Sequence, residues 1–157
     1  MFSVGDKIVY PMHGAGIIEK IEKKKILGQI REYYILRVPC GDMKIMIPVD
    51  KTEDIGIRPI IPISRLPEVF ALLSAESTEM SSNWNRRYRE NLEQLKSGDI
   101  CKVAEVVRNL VRTDRAKKLS TGEKKMLINA KQILISELIL VGKMTYEEAD
   151  QVIETAI

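Results

Sequence analysis

Ser81-Ser82-Asn83-Trp84-Asn85-Arg86-Arg87-Tyr88-Arg89 is the stretch from which the rest of the chain is read. Serine and asparagine begin helices well, because their side-chain oxygens accept from the free N–H groups of the first turn. The sole tryptophan of the chain follows, with three arginines and a tyrosine after it. A flat apolar ring on a first helical turn thus lies beside clustered cations and the positive end of the helix dipole. A polyanion with an apolar interior, such as a nucleic acid, suits that combination. A plainer reading competes. Trp84, Tyr88, Leu92 and Leu95 recur at helical spacing, and an indole on such a face is ordinarily core. On this stretch alone, core packing is the default.

Charge distribution shifts the balance. Between Trp84 and Lys131 there are thirteen basic and six acidic side chains; from Gln132 to Ile157, Lys143 faces five acids. A basic middle with an acidic tail fits a directed anion-binding surface, although helical surfaces carry charge without function too. Nothing in the 157 residues supplies an unbroken apolar run of bilayer length. The N-terminus lacks a signal-peptide pattern, so the expected location is the cytoplasm. Cys40 and Cys101 have no partner at metal-ligand spacing and read as buried free thiols. His13, the lone histidine, reads as a turn or packing residue. With no phosphate-binding glycine loop and no HExxH pattern, no cofactor or metal is expected.

The first sixty residues read as strands. Lys7–Tyr10, Gly16–Ile21, Tyr33–Val38 and Met43–Ile47 are short and rich in β-branched or aromatic residues. Pro11 to Gly14, Leu27-Gly28-Gln29 and a hairpin loop at Pro39-Cys40-Gly41-Asp42 separate them, and a fifth strand is expected near Gly56-Ile57-Arg58. Five such strands suggest a small SH3-like or Tudor-like barrel, a fold that binds macromolecules more often than it does chemistry. Helical texture takes over near Arg65. Helices are expected over Leu66–Ser74 and from Trp84 to Lys96, with Gly98 closing the latter. A third buries Ile100, Val103, Ala104, Val107, Leu110 and Val111, and aligns Arg108, Arg112 and Arg115 on one face. Ser120-Thr121-Gly122-Glu123 reads as a capping box opening a long apolar helix that Gly142 ends; Thr145 to Glu148 opens a fifth helix in the same way. The expected class is α+β: a five-stranded barrel over residues 1–60, then a bundle of about five helices over 65–157.

Several of these motifs together resemble the CarD/CdnL family of bacterial transcription regulators. They are Val4-Gly5-Asp6, Val9-Tyr10-Pro11 and His13-Gly14, then Met43-Lys44-Ile45-Met46-Ile47-Pro48, then Asn83 to Tyr88, Lys102 to Arg108, and Leu119-Ser120 with Gly122 to Leu127. They run in order over nearly the whole chain. The resemblance implies that the barrel binds the β subunit of RNA polymerase, with Lys24, Met46 and Pro48 at the contact. It implies that the helical domain binds promoter DNA at the upstream edge of the transcription bubble. There Trp84 would wedge into the minor groove, with Arg86, Arg89 and Lys124 on nearby phosphates. Arg87 and Lys125 complete the expected DNA-binding set. Some branches of the family carry Arg where this chain has Met46, so an apolar contact would replace an ionic one. A similar barrel occurs in the transcription-repair coupling factor, attached to a translocase; this chain has no ATPase motif. The expected partners are therefore polymerase and promoter DNA, with no membrane and no small-molecule substrate. A non-enzymatic regulator is the leading expectation. An RNA- or ribosome-associated module is the alternative, and a nuclease is disfavoured because no carboxylates cluster.

Overall fold

A computed structural model describes residues 1–39 and 43–157. Cys40 and the centre of the expected hairpin loop lie outside the described residues. The strands are β1 (Lys7–Tyr10), β2 (Gly14–Ile26), β3 (Gln29–Val38), β4 (Met43–Pro48) and β5 (Arg58–Pro59), forming an antiparallel sheet in the order β4-β3-β2-β1-β5. Ile8, Ile18, Tyr34, Leu36, Val38 and Ile47 fill its inner face. β2 and β3 are longer than the apolar pattern predicts. A bulge interrupts their register between Ile18 and Lys20, and beyond the Glu22–Tyr33 pair their arms run into solvent, held by ladder hydrogen bonds to a two-residue turn at Leu27-Gly28 with both φ positive. Alternating burial stops there, so sequence periodicity could not mark the extension. β5 falls two residues later than expected, because Thr52–Ile55 forms a one-turn helix, α1, that ends at Gly56.

Five helices follow: α2 (Leu66–Ser74), α3 (Trp84–Lys96), α4 (Ile100–Ala116), α5 (Thr121–Gly142) and α6 (Tyr146–Ala156). The starts of α3 to α6 obey the capping chemistry. Asn83 accepts from Arg86 N, Asp99 from Cys101 N and Ser120 from Glu123 N, while Thr145 and Glu148 form a full capping box. Two details depart from expectation. Glu123 does not return its carboxylate to the Ser120 backbone; Arg87 takes it instead. The left-handed residue closing α5 is Lys143, one position past Gly142.

α5 is buried on two sides. Met126, Ala130, Ile133, Leu134, Leu138 and Val141 enter the helical core. Ser136 and Glu137, also buried, face the sheet. Ser136 Oγ accepts from the Ala15 N–H at 2.8 Å. Glu137 accepts from Arg58 Nη1 and Nη2 at 2.8 and 2.7 Å, and from the Ile61 N–H at 3.0 Å. Arg58 Nε also donates to the Gly98 carbonyl at 2.8 Å. The sheet is thereby bolted to α5 and to the α3–α4 turn. Cys101 is half-buried rather than enclosed, and burial beside Glu68 pushes its thiol up to about 11, which keeps it a poor nucleophile at neutral pH. His13 closes a turn through its N–H to the Tyr10 carbonyl and sets its ring edge-on to Tyr10.

Candidate nucleic-acid interface

Burial along α3 places the tryptophan outside the enclosed core. Leu95 is enclosed at 1% exposure, Leu92 and Tyr88 are half-buried, and Trp84 is 40% exposed. The apolar face therefore enters the core at the C-terminal end of the helix and emerges at its N-terminal end. The indole stacks on Tyr88, with ring centroids 5.0 Å apart and planes inclined by 19°. Its Nε1–H donates to Ser120 Oγ at 2.9 Å. The adjoining benzo edge rests on α5 at Gly122, where a Cβ would sit 3.2 Å from the ring. The beginnings of α3 and α5 thus converge on one ring, and both helix dipoles point their positive ends toward it.

Behind the ring lies a chain of polar contacts. Ser120 Oγ accepts from Trp84 Nε1 and from Glu123 N, and donates to Glu123 Oε1 at 3.2 Å. Glu123, 3% exposed, is held by Arg87 through Nε to Oε2 at 2.8 Å and Nη2 to Oε1 at 3.0 Å. Arg87 Nη1 also donates to the Ser81 carbonyl at 3.0 Å. These contacts hold the Glu123 carboxyl below its usual range, Arg87 first among them, against the opposing effect of burial. Arg87 lies at the heart of the site, and its Nε, Nη1 and Nη2 all donate within the protein while the side chain stays partly exposed.

The other expected DNA contacts are placed differently. Arg86 is exposed and pairs with Glu90 at 2.7 Å across one turn of α3. Such a pair is weak and exchangeable in water. Arg89 and Lys125 are exposed and Lys124 is half-buried; none has a partner among the described residues. The arginines of the α4 face are engaged within the protein, apart from the buried Arg108 Nη2, which has no hydrogen-bond partner among the described residues. Arg108, 1% exposed, donates to the Leu72 carbonyl and to Asn109 Oδ1. Arg112 caps the end of α2 through the Leu73, Ser74 and Ala75 carbonyls. Arg115 pairs with Glu154. Much of the basic middle is thus internal scaffolding. Two lysines that spacing did not single out, Lys117 and Lys118, line a groove of about 440 Å³ beside Trp84.

On the sheet, register brings the remaining site residues together. Lys24 lies opposite Arg31, Pro48 opposite Tyr33, and Met46 opposite Ile35. Alternate residues of β3 share a face, so all three lie on one outer surface. Lys20 and Lys44 join that surface through Ile35 and Arg37, and β4 is its free edge. Met46 is 40% exposed and Pro48 half-buried, while Lys24 makes a loose 3.8 Å ion pair with Glu22.

A Tudor-like sheet joined to an all-helical domain defines a two-part architecture. Residues 2–61 match the model of the CarD-like/TRCF RID domain, and residues 68–154 match that of the CarD C-terminal domain. The chain is 42% identical over 148 residues to a Bacillus subtilis (strain 168) protein named "Putative transcription factor YdeB", covering 94% of this chain and 97% of that one. The chain belongs to the CarD family.

Proposed function

We propose that this protein binds the β subunit of RNA polymerase through the outer sheet face at Lys24, Met46 and Pro48, and stabilises the open promoter complex through its helical domain. Trp84 is the wedge that enters the minor groove at the upstream edge of the bubble. Arg86, Arg89, Lys124 and Lys125 contact phosphates around it. Arg87 acts from behind, holding Glu123 and through it Ser120. The observation that carries this reading is the 40% exposed indole, fixed where α3 and α5 begin.

The energetics follow from the geometry. Unstacking a base step costs a few kcal/mol, and an inserted apolar wedge offsets part of that only in the opened state. Phosphate contacts add affinity without reading sequence. A protein that binds open DNA better than closed DNA shifts the equilibrium toward open. Tethering to polymerase raises the local concentration, so a small DNA-binding surface suffices. The role requires binding and no chemical step. Met46 makes the polymerase contact partly apolar, and the lysines around it, Lys20, Lys24 and Lys44, form exposed ion pairs with Glu22 and Glu19 that a partner can exchange.

Trp84→Ala tests the reading. The variant is expected to keep polymerase binding and to shorten the open-complex lifetime in a fluorescence assay of bubble formation. Binding of ribosomal RNA in preference to polymerase would favour an RNA-associated module instead.

A further inference from the structure

The groove beside Trp84 has an identifiable wall. Met80, Ser81 and Ser82 form one side, and Lys117 and Lys118 stand on the other, at the α4–α5 link. That link is rigid. Lys117 N donates to the Thr113 carbonyl at 2.8 Å, Leu119 N donates to Asp114 Oδ1 at 3.3 Å, and the Leu119 side chain is buried. The two lysines are thus presented from an anchored segment. Both are exposed and, among the described residues, neither has an ion pair or side-chain hydrogen bond. Arg108, Arg112 and Arg115, one helix earlier, are all occupied. Glu123 is the acidic residue of the groove lining, and Arg87 neutralises it. The groove is consequently open, hydroxyl-lined and cationic, and it adjoins the wedge.

A second hollow lies across the Met80–Ser82 segment, on the side of Arg86 and Glu90. Arg86 does not line the Lys117–Lys118 groove, and the two lysines do not line the Arg86 hollow. Lys117 and Lys118 thus line one hollow, and Arg86 lines the other beside Glu79 and Glu90.

We propose that Lys117 and Lys118 form a second phosphate cradle, which holds the backbone of a DNA strand leaving the wedge through this groove while Arg86 engages backbone on the other side of the Met80–Ser82 segment. The occupant is sugar-phosphate backbone, because the lining offers ammonium and hydroxyl donors without a pattern for reading base edges. This rests on the wedge reading above and adds the path of a strand. Two lysine–phosphate contacts carry a characteristic salt dependence. Each phosphate neutralised contributes roughly 0.9 to the slope of log affinity against log salt on duplex and roughly 0.7 on single strands.

The test uses the full chain with polymerase and a promoter. The fold-increase in open-complex lifetime is measured across a salt series for the wild type, Lys117→Gln/Lys118→Gln and Trp84→Ala. The double variant is expected to confer a smaller increase at low salt, with a slope shallower by roughly 1.4–1.8. It should keep its preference for open over closed DNA. Trp84→Ala should lose that preference and keep the wild-type slope. A wild-type lifetime and slope in the double variant, with Trp84→Ala impaired, would overturn the cradle alone. Wild-type behaviour of both variants would overturn the wedge reading and the cradle with it.

Discussion

Trp84 Nε1 donates to the hydroxyl that caps α5, Ser120 Oγ, at 2.9 Å. One atom therefore terminates a helix and fixes the rotation of the indole. Ser120→Ala removes both functions, and loss of the cap alone costs about 1 kcal/mol. Because Trp84 is the only tryptophan, intrinsic fluorescence reads its surroundings directly. Ser120→Ala is expected to shift emission to longer wavelength, lower the anisotropy and shorten the open-complex lifetime. Ser120→Thr, which keeps the hydroxyl, should restore all three. Unchanged emission in folded Ser120→Ala would remove the positioning role.

Arg87 and Glu123 link that hydroxyl to α3, and the pair predicts a pH dependence. In the fold, the Glu123 carboxyl lies below its ordinary value of 4.5. Between those two values the unfolded chain binds more protons than the folded one. The stability contributed by the pair is therefore complete above 4.5 and is lost as pH falls through the lower, folded value. Comparing wild type with Glu123→Gln by chemical denaturation should show a gap at neutral pH that narrows in acid. Arg87→Ala should cost about 2–3 kcal/mol, below the range for breaking a fully buried pair because the guanidinium is partly exposed. A gap independent of pH would show that Glu123 is not the titrating partner.

Helix starts, the α4 core, the long cations and Trp84 mark how far the sequence was legible. Helix starts were legible because Asn83, Asp99, Ser120 and Thr145 act within their own first turns. The core of α4 was legible because Val103, Ala104, Val107, Leu110 and Val111 follow one helical period and are all buried. What spacing could not show is where long cations go. Arg108, Arg112 and Arg115 share a face as expected, but that face meets α2 and α6, where all three make hydrogen bonds and the one buried nitrogen left without a partner among the described residues is Arg108 Nη2. Lys117 and Lys118, in the same charged run, stay free because their segment turns outward between two helices. The exposure of Trp84 was likewise undecidable from period, since it depends on how far α3 is inserted.

Arg112 separates basic charge from DNA contact. Its guanidinium donates to the last carbonyls of α2 and to Ser77 Oγ at 2.9 Å. Arg112→Ala is expected to lower stability by about 1–3 kcal/mol, because charge-assisted bonds to otherwise free helix-end carbonyls are lost. At a temperature where the variant is folded, open-complex lifetime should match the wild type. A shortened lifetime with unchanged stability would place Arg112 on the DNA instead.

Glu137 joins the two halves of the proposed function. It is 3% exposed and accepts both arms of Arg58 and the Ile61 N–H. Sequence gives no hint of this, since Glu137 interrupts an apolar helix and its partners lie 79 and 76 residues away. If polymerase holds the sheet, this joint sets where Trp84 points, and a rigid joint avoids ordering losses on binding. Glu137→Ala leaves Arg58 without its carboxylate and should cost about 3 kcal/mol. Amides of β2 and β3 should then exchange at lower denaturant than those of α4 and α5, whereas in the wild type the two sets open together. Polymerase binding and Trp84 emission should both persist, because neither surface is touched, yet the open-complex lifetime should fall. Coincident opening of sheet and helices in Glu137→Ala, with the lifetime preserved, would show that the joint does not transmit position.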